Sequence, residues 1–404
     1  MREDILFLGP WPPPFGGIAS NIFELMPGLV ASGYAATTLS YTTGADETSI
    51  SRPYVTNIRF KPTAHLRRHL PAIVAKAWRG RRHRKGLSIG RFLRAVTIAH
   101  KVEQVARAQA SRFIFTYDNE QLHAVPFIDR DSAGFPKIFA TIYTGFILFQ
   151  DEYRDEMAFL RHAIASADVI LSCSDYCLRS GQTFLGIEYP GRVLYNNVDH
   201  HLYNPQNDGA AIRARFGIAD DAIVLMTMAR MDRDMGYDFL VDNLDAILAI
   251  DPRIVVLLVG ASGPMSATVQ AAADRYPRVH CAFDISFDDK PAFFAACDIF
   301  TAPSREAYAC LGIANIEAMM TAKAVLSSTS GGHVETIEDG VTGALVPFVD
   351  GKLDRDAYLR HLAAMAASPE LRRRYGEAGR ERGLRMFTND KIVADHIRVI
   401  TDSM

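Results

Sequence analysis

Two glycine-opened helices and one carboxylate are the residues of this chain best suited to chemistry. From Pro303 to Gly332 the sequence reads PSREAYACLGIANIEAMMTAKAVLSSTSGG: a strand end, a short loop, then a helix opened by Gly312 between Leu311 and Ile313. Glu317 stands five residues further on, inside that helix. The first N–H groups of a helix lack intrahelical partners and carry partial positive charge, so this layout predicts a phosphate site. A second candidate is Gly16-Gly17-Ile18, directly after a first strand and before a helix. Glycine lets backbone approach a ligand closely there, although a Gly-Gly turn ahead of a helix is often only a turn.

Hydrophobic periodicity supplies the elements that must hold these residues. In the first half, strands are expected at Ile5–Leu8, Ala36–Tyr41, Ile58–Phe60, Phe113–Tyr117, Lys137–Ile142, Asp168–Cys173 and Arg192–Tyr195, with helices over 19–32 and 152–166. The second half repeats the alternation. Strands are expected at Ala222–Met228, Ile254–Val259, Arg278–Ala282, Ile299–Ala302 and Ala324–Ser327. Helices are expected at 236–250, 267–276, 290–296 and 312–320, then a further helix and a short edge hairpin. Strands alternating with helices predict an α/β architecture: two doubly wound, Rossmann-like units, each with a parallel sheet covered on both faces. Ligands bind such sheets at the carboxyl ends of the strands, so two facing units would enclose a central cleft. The boundaries read as 1–200, 201–385 and a C-terminal helix in 386–404 that crosses back to the first unit.

Composition narrows the class. With 404 residues, 49% hydrophobic and 22% charged, the chain is too long for one ordinary core and has the balance of a soluble globular protein. No apolar run approaches the roughly 20 residues of a membrane span. MREDILFLGP has too short an apolar run for a signal peptide and reads as a buried strand. The five cysteines show no paired zinc spacing. Cys173 and Cys177 are close enough for redox or metal chemistry, but ordinary thiols in a reducing, cytoplasmic compartment are the simpler reading.

Charge is unevenly spread. Ser51 to Arg112 holds 16 Lys/Arg and one acid, Glu103, about +15; the remainder, 28 basic and 45 acidic, is −17. Apolar residues such as Leu66, Leu70, Val74 and Trp78 interleave with Arg67, Arg68, Arg79, Arg81, Arg82, Arg84, Lys85, Arg91 and Arg94. This predicts basic amphipathic helices against an anionic surface, a membrane or a lipid diphosphate, through residues 66–94. A solvated helical face is the plainer alternative. Nucleic acid is not expected as a partner, because no binding motif is present and the rest of the chain is acidic.

Several motifs together resemble retaining glycosyltransferases of the GT-B class, family 4. Gly331-Gly332-His333-Val334-Glu335, followed by Glu338-Asp339-Gly340-Val341-Thr342-Gly343 and Leu345-Val346-Pro347, is similar to the family's Gly-Gly-x-x-Glu segment and its sequel. Asn197-Val198-Asp199 with Pro205 resembles the interdomain hinge, with Asn197 in place of glycine, a swap that left-handed backbone tolerates. Ser174 fits the same pattern. The resemblance implies that Arg230, in MARMDRDMGYD, holds the donor diphosphate. It implies too that Glu317 grips the nucleotide ribose, two acceptors facing two hydroxyls, and that Gly16, Gly17 and the Leu311-Gly312-Ile313 helix start lie near the phosphates.

Three positions depart from the family. Its lysine five residues after Arg230 is Met235 here, and Arg233 is the nearest replacement charge. Its first glutamate falls at Ala309, in a loop two residues longer than usual that contains Glu306, so Glu306 is the candidate for the sugar hydroxyls. Its histidine after Lys137–Ile142 is replaced by Tyr143-Thr144-Gly145. The resemblance implies transfer of a sugar from a nucleotide-diphosphate donor with retained anomeric configuration. It implies no metal and no cofactor beyond the nucleotide sugar itself. Arg230 and Glu306 would be the catalytic groups. A saccharide or lipid-linked acceptor at the inner membrane face fits the basic segment. A nucleotide-sugar epimerase-like enzyme on the same scaffold and a non-catalytic GT-B partner are the alternatives.

Overall fold

The computed structural model describes residues 4–11, 17–41, 55–117, 119–130, 136–142, 153–305 and 307–404. They form two compact units, one of Met1–Asn197 with Asn389–Met404, the other of Val198–Thr388. The first unit carries strands β1 (Asp4–Leu8), β2 (Ala35–Tyr41), β3 (Val55–Phe60), β4 (Ser111–Thr116), β5 (Lys137–Ile142), β6 (Val169–Ser172) and β7 (Gly191–Val193). They make one parallel sheet in the order β3-β2-β1-β4-β5-β6-β7. Its helices are α1 (Gly17–Ala31), α2 (Pro62–Arg68), α3 (Leu70–Gly80), α4 (Ile89–Ala108), α5 (Met157–Ala165) and α6 (Asp175–Leu185). Every residue of β1 is buried, as a parallel strand covered on both faces demands.

The second unit repeats the plan. Strands β8 (Ile223–Met228), β9 (Ile254–Gly260), β10 (Val279–Phe283), β11 (Ile299–Ala302), β12 (Ala324–Ser328) and β13 (Ala344–Val346) form a parallel sheet ordered β10-β9-β8-β11-β12-β13. The uninterrupted apolar runs IVLMTM and IVVLLVG are its fully buried centre. A small antiparallel hairpin, β14 (Phe348–Val349) with β15 (Lys352–Leu353), follows. The helices are α7 (Ala210–Arg215), α8 (Tyr237–Asp242), α9 (Leu244–Ile250), α10 (Ser266–Arg275), α11 (Lys290–Ala296), α12 (Ile313–Met320), α13 (Arg355–Ala367) and α14 (Pro369–Met386). The last helix, α15 (Asn389–Asp402), packs in the first unit, burying Ile392, Val393, His396, Val399 and Ile400. No helix of the described residues is long and apolar enough to cross a membrane.

Two expectations are corrected. The helix expected over 236–250 is two helices, because Asn243 binds backbone and neighbour instead of continuing the first. Its amide donates to the Phe239 carbonyl (2.7 Å) and its side-chain oxygen accepts from Arg355 (2.6 Å). The helix expected over 152–166 begins, within the described residues, as a short turn at Arg154–Glu156. Glu156 is held there by Arg91 (3.0 Å) and His123 (3.1 Å). Helix α14 is hard to read from sequence, since Gly376, Gly379 and Gly383 look like breakers. They are instead the face on which it packs: a Cβ at Gly376 would stand 2.1 Å from the Ala322 carbonyl oxygen.

Each unit contains a fully buried histidine, His396 in the first and His333 in the second, and burial holds each down to about 4. The unfolded chain takes up protons near 6.5, which the folded chain refuses until about 4. Stability is therefore intact above 6.5 and is lost as pH falls through that window, by about 3 kcal/mol per histidine at most. Melting temperatures should fall steeply between pH 7 and pH 4.5. A flat profile by calorimetry contradicts neutral burial of these rings.

Candidate functional site

The order of the second sheet reverses between β8 and β11, which lie side by side. Loops leaving the carboxyl ends of two such strands diverge and open a crevice for ligands. The loop after β8 carries Arg230 and Arg233. The loop after β11 runs through Arg305 to Leu311, and Gly312 then opens α12.

Helix α12 starts at a backbone that favours glycine. Gly312 has φ +84°, and a Cβ there would stand 2.5 Å from the His333 ring. The Gly331-Gly332-His333 turn secures this start. Gly332 N–H donates to the Ala309 carbonyl (2.9 Å), Thr336 Oγ1 donates to the Leu311 carbonyl (2.5 Å), and the Ser330 hydroxyl donates to the Arg305 carbonyl. His333 Nδ1 in turn meets Ser327 Oγ at 2.9 Å. Leu311 is buried beneath the loop, while Gly312 and Ile313 are partly exposed, leaving the first turn of α12 open to a ligand.

The β8 loop concentrates charge. Arg230 is exposed and paired loosely with Asp232 (3.4 Å), whose other oxygen accepts from Asp234 N–H (3.2 Å). Arg233 is exposed, with no ion pair among the described residues. Met235 packs instead against the second unit's core. Arg305 ties the two loops together: its N–H donates to the Asp234 carbonyl (3.0 Å) and its guanidinium pairs with Asp238 (2.6 Å). Partial burial, then the Asp232 charge, push Asp234 above its ordinary value, against Arg305 and Arg230. The two joined loops thus carry three arginines, Arg305 committed to a carboxylate and Arg233 without an ion pair among the described residues.

Glu317 lies one turn inside α12 and is buried. One carboxylate oxygen, Oε1, is in an ion pair with Lys290 at the start of α11; Oε2 has no partner among the described residues. Lys290 sits in an aromatic collar, its ammonium 5.7 Å from the Tyr203 ring and 5.6 Å from that of Phe287. The arrangement fixes the carboxylate and leaves one oxygen for a hydroxyl pair.

The structure thus places Arg230 and Arg233 in the loop after β8, and Leu311, Gly312, Ile313 and Glu317 at the start of α12, with Arg305 joining the two loops. Gly17 opens α1 in the first unit. Gly16, Glu306 and Tyr143-Thr144-Gly145 lie outside the described residues. Ala309 is buried, its N–H held by Ser330 Oγ (3.2 Å), so the position of the family's first glutamate is packed and apolar. Asn197 is corrected in kind. Its backbone is not left-handed; its side chain accepts from Asn21 of α1 (2.6 Å) and donates to Asn389 of α15 (2.8 Å). Ser174 caps α6 by accepting from Cys177 N–H (3.1 Å). Cys173 and Cys177 sulfurs lie 3.8 Å apart, and no disulfide forms. Sequence reading missed Lys290, Arg305 and the positioning role of His333. Only His333, inside the Gly-Gly turn motif, had a local signal.

Comparison with known proteins agrees with this geometry. Residues 208–382 match the family described as glycosyl transferases group 1. The chain is 30% identical over 246 residues to an alpha-maltose-1-phosphate synthase of Mycolicibacterium smegmatis, covering 56% of this chain and 61% of the relative. It is 31% identical over 230 residues to a GDP-mannose-dependent alpha-(1-6)-phosphatidylinositol monomannoside mannosyltransferase of the same organism, covering 55% and 59%. The chain therefore spans less than two thirds of these relatives' own length. Among solved structures, Anabaena HepE in complex with UDP and glucose superposes with a TM-score of 0.74 over 99% of this chain and 100% of that one, at 19% identity, a likeness of fold.

Proposed function

We propose, from a chain whose residues 208–382 belong to the glycosyl transferases group 1 family and which has the GT-B fold, that it transfers a sugar from a nucleotide-diphosphate donor to a saccharide or lipid-linked acceptor with retention of configuration. The observation that supports this reading is the joining, through Arg305, of the Arg230- and Arg233-bearing loop after β8 to the loop that leads into α12, whose Glu317 is fixed by Lys290. Glu317 Oε2 accepts from a ribose hydroxyl. The N–H groups of α12 and the two arginines hold the diphosphate and stabilise the charge that grows on it as the glycosidic bond breaks. No metal takes part in this reading. Glu306 remains the proposed partner of the sugar hydroxyls.

The basic segment 66–94 supports an acceptor at an anionic membrane surface and a peripheral protein of the inner face in surface glycoconjugate synthesis. The buried Ala309 and the apolar packing of Met235 favour one second reading, a GT-B partner that binds donor without turnover.

One relative's name carries GDP-mannose and the structural neighbour holds UDP, so both nucleotides belong in the test. A thermal-shift screen of GDP- and UDP-sugars should reveal one donor that stabilises the protein, by about 2.7 kcal/mol at a hundredfold excess over its Kd. Release of nucleotide with candidate acceptors then separates transfer from binding alone. No shift with any nucleotide sugar overturns the proposal.

A further inference from the structure

The first unit holds a pocket of about 440 Å³ lined in part by the basic segment 66–94. Its walls are Lys76, Arg79, Arg82 and His83 from α3 and the turn after it, Arg130 from the segment before β5, and His162 near the end of α5. Its floor is the apolar run Val125–Ile128, and Asp129 is the one carboxylate in the lining. The pocket belongs to the amino-terminal edge of the sheet. Arg130 pairs with Asp168 (3.1 Å), which also accepts from Ile138 N–H at the start of β5 (2.7 Å). The carboxyl ends of the strands, where donor and acceptor chemistry belongs, lie at the other edge.

The cations differ in how far they are committed. Lys76 is buried and paired with Glu103 at 2.5 Å, so it is part of the wall. Arg79 and Arg82 are exposed and make no ion pair among the described residues; Arg82 Nε only donates to His83 Nε2 (3.1 Å). The His83 and His162 rings are stacked, 4.8 Å apart and within 5° of parallel. His162 Nε2 is buried without a hydrogen-bond partner. One pocket lining thus combines an unsatisfied buried ring nitrogen with two uncommitted guanidinium groups, a donor set suited to an anion. Burial, then neighbouring positive charge, hold both histidines below their ordinary value, and an anion would relieve that charge.

A second feature adjoins the pocket. Leu70, Val74 and Trp78 recur every fourth residue along α3 and are 50%, 53% and 68% exposed; Ile89 nearby is 62% exposed. Arg81 lies over the Trp78 ring, 4.0 Å from its centre. An exposed apolar stripe ending in tryptophan and arginine has the composition of a helix lying in a membrane interface. Arg79 stands about 100° round the helix from Trp78, so the pocket mouth flanks the stripe.

We propose that this pocket binds the phosphate of an anionic membrane lipid head group, with Arg79, Arg82 and His162 Nε2 as its ligands and the Leu70–Val74–Trp78 stripe seated in the bilayer interface beside it. The apolar stripe selects a lipid over a free phosphate compound. The inference rests on the peripheral-membrane part of the proposed function and gives it a defined site.

The test is co-sedimentation with phosphatidylcholine vesicles with and without phosphatidylglycerol. The wild type is compared with Arg79→Gln/Arg82→Gln and with a charge-matched control, Arg67→Gln/Arg68→Gln; all four side chains are exposed. Loss of any two surface charges should weaken binding about thirtyfold. The pocket variant should lose about tenfold more than the control, because it also loses charge-assisted hydrogen bonds. Equal losses in the two variants overturn the pocket and leave the membrane reading standing. No binding of the wild type to anionic vesicles overturns both. Inorganic phosphate displacing the wild type from vesicles at micromolar concentration overturns the lipid as the source of the phosphate.

Discussion

Replacing Arg230 by alanine should lower sugar transfer by about 10²–10³ with little change in melting temperature. The side chain is exposed, and its ion pair to Asp232 at 3.4 Å is too long and too wet to contribute much stability. Its value lies in the reaction. In the proposed reaction negative charge accumulates on the diphosphate as the sugar departs, and a guanidinium held there would meet that charge without reorganising. Arg230→Lys should recover only part of the rate, because an ammonium cannot reproduce the planar fork. Arg233→Ala should cost about tenfold, since it replaces a charge that Met235 does not provide. The measurement is kcat/KM with the donor found by thermal shift; wild-type kinetics for Arg230→Ala would remove it from the site.

The Lys290–Glu317 pair predicts an effect on stability that Arg230 does not. Lys290→Met leaves a buried carboxylate without its countercharge, which costs about 3 kcal/mol. For a unit of this size that is a fall of about 6–12 °C in melting temperature. Adding Glu317→Leu to Lys290→Met removes the stranded charge and should restore most of the loss. Donor binding should not return, because the ribose hydroxyls then face a hydrocarbon. Two results count against this account: a Lys290→Met protein as stable as wild type, and a double variant that binds donor normally.

The fold was legible because parallel sheets covered on both faces leave a strong trace. Runs such as IVLMTM and IVVLLVG can only be central strands. The helix start at Gly312 was legible for a local reason, a left-handed residue directly ahead of an apolar helix. Lys290 was not, because it lies 27 residues from Glu317 and only the folded chain brings the two side chains together. Arg305 escaped notice for a related reason. The partners by which Arg305 clamps its loop to the one after β8, Asp234 and Asp238, are distant in sequence. Asn197 shows the opposite error. A rule about backbone tolerance was applied to a residue whose amide side chain does the joining, and those partners, Asn21 and Asn389, are distant in sequence.

The membership of α15 in the first unit has a consequence for biosynthesis. The second unit is an insertion in the chain of the first, entered at Val198 and left at Thr388, where the two crossing segments run side by side: Val198 N–H donates to the Phe387 carbonyl at 2.8 Å. A ribosome releases β1 to β7 early, but the helix that covers α1, where Val393 fills the space above Gly28, emerges only after the inserted unit. The nascent first unit therefore waits, with that apolar face uncovered, while the whole inserted unit is made. Its completion is a late, long-range closure, the kind of step at which a chaperone or a stalled nascent chain decides the yield.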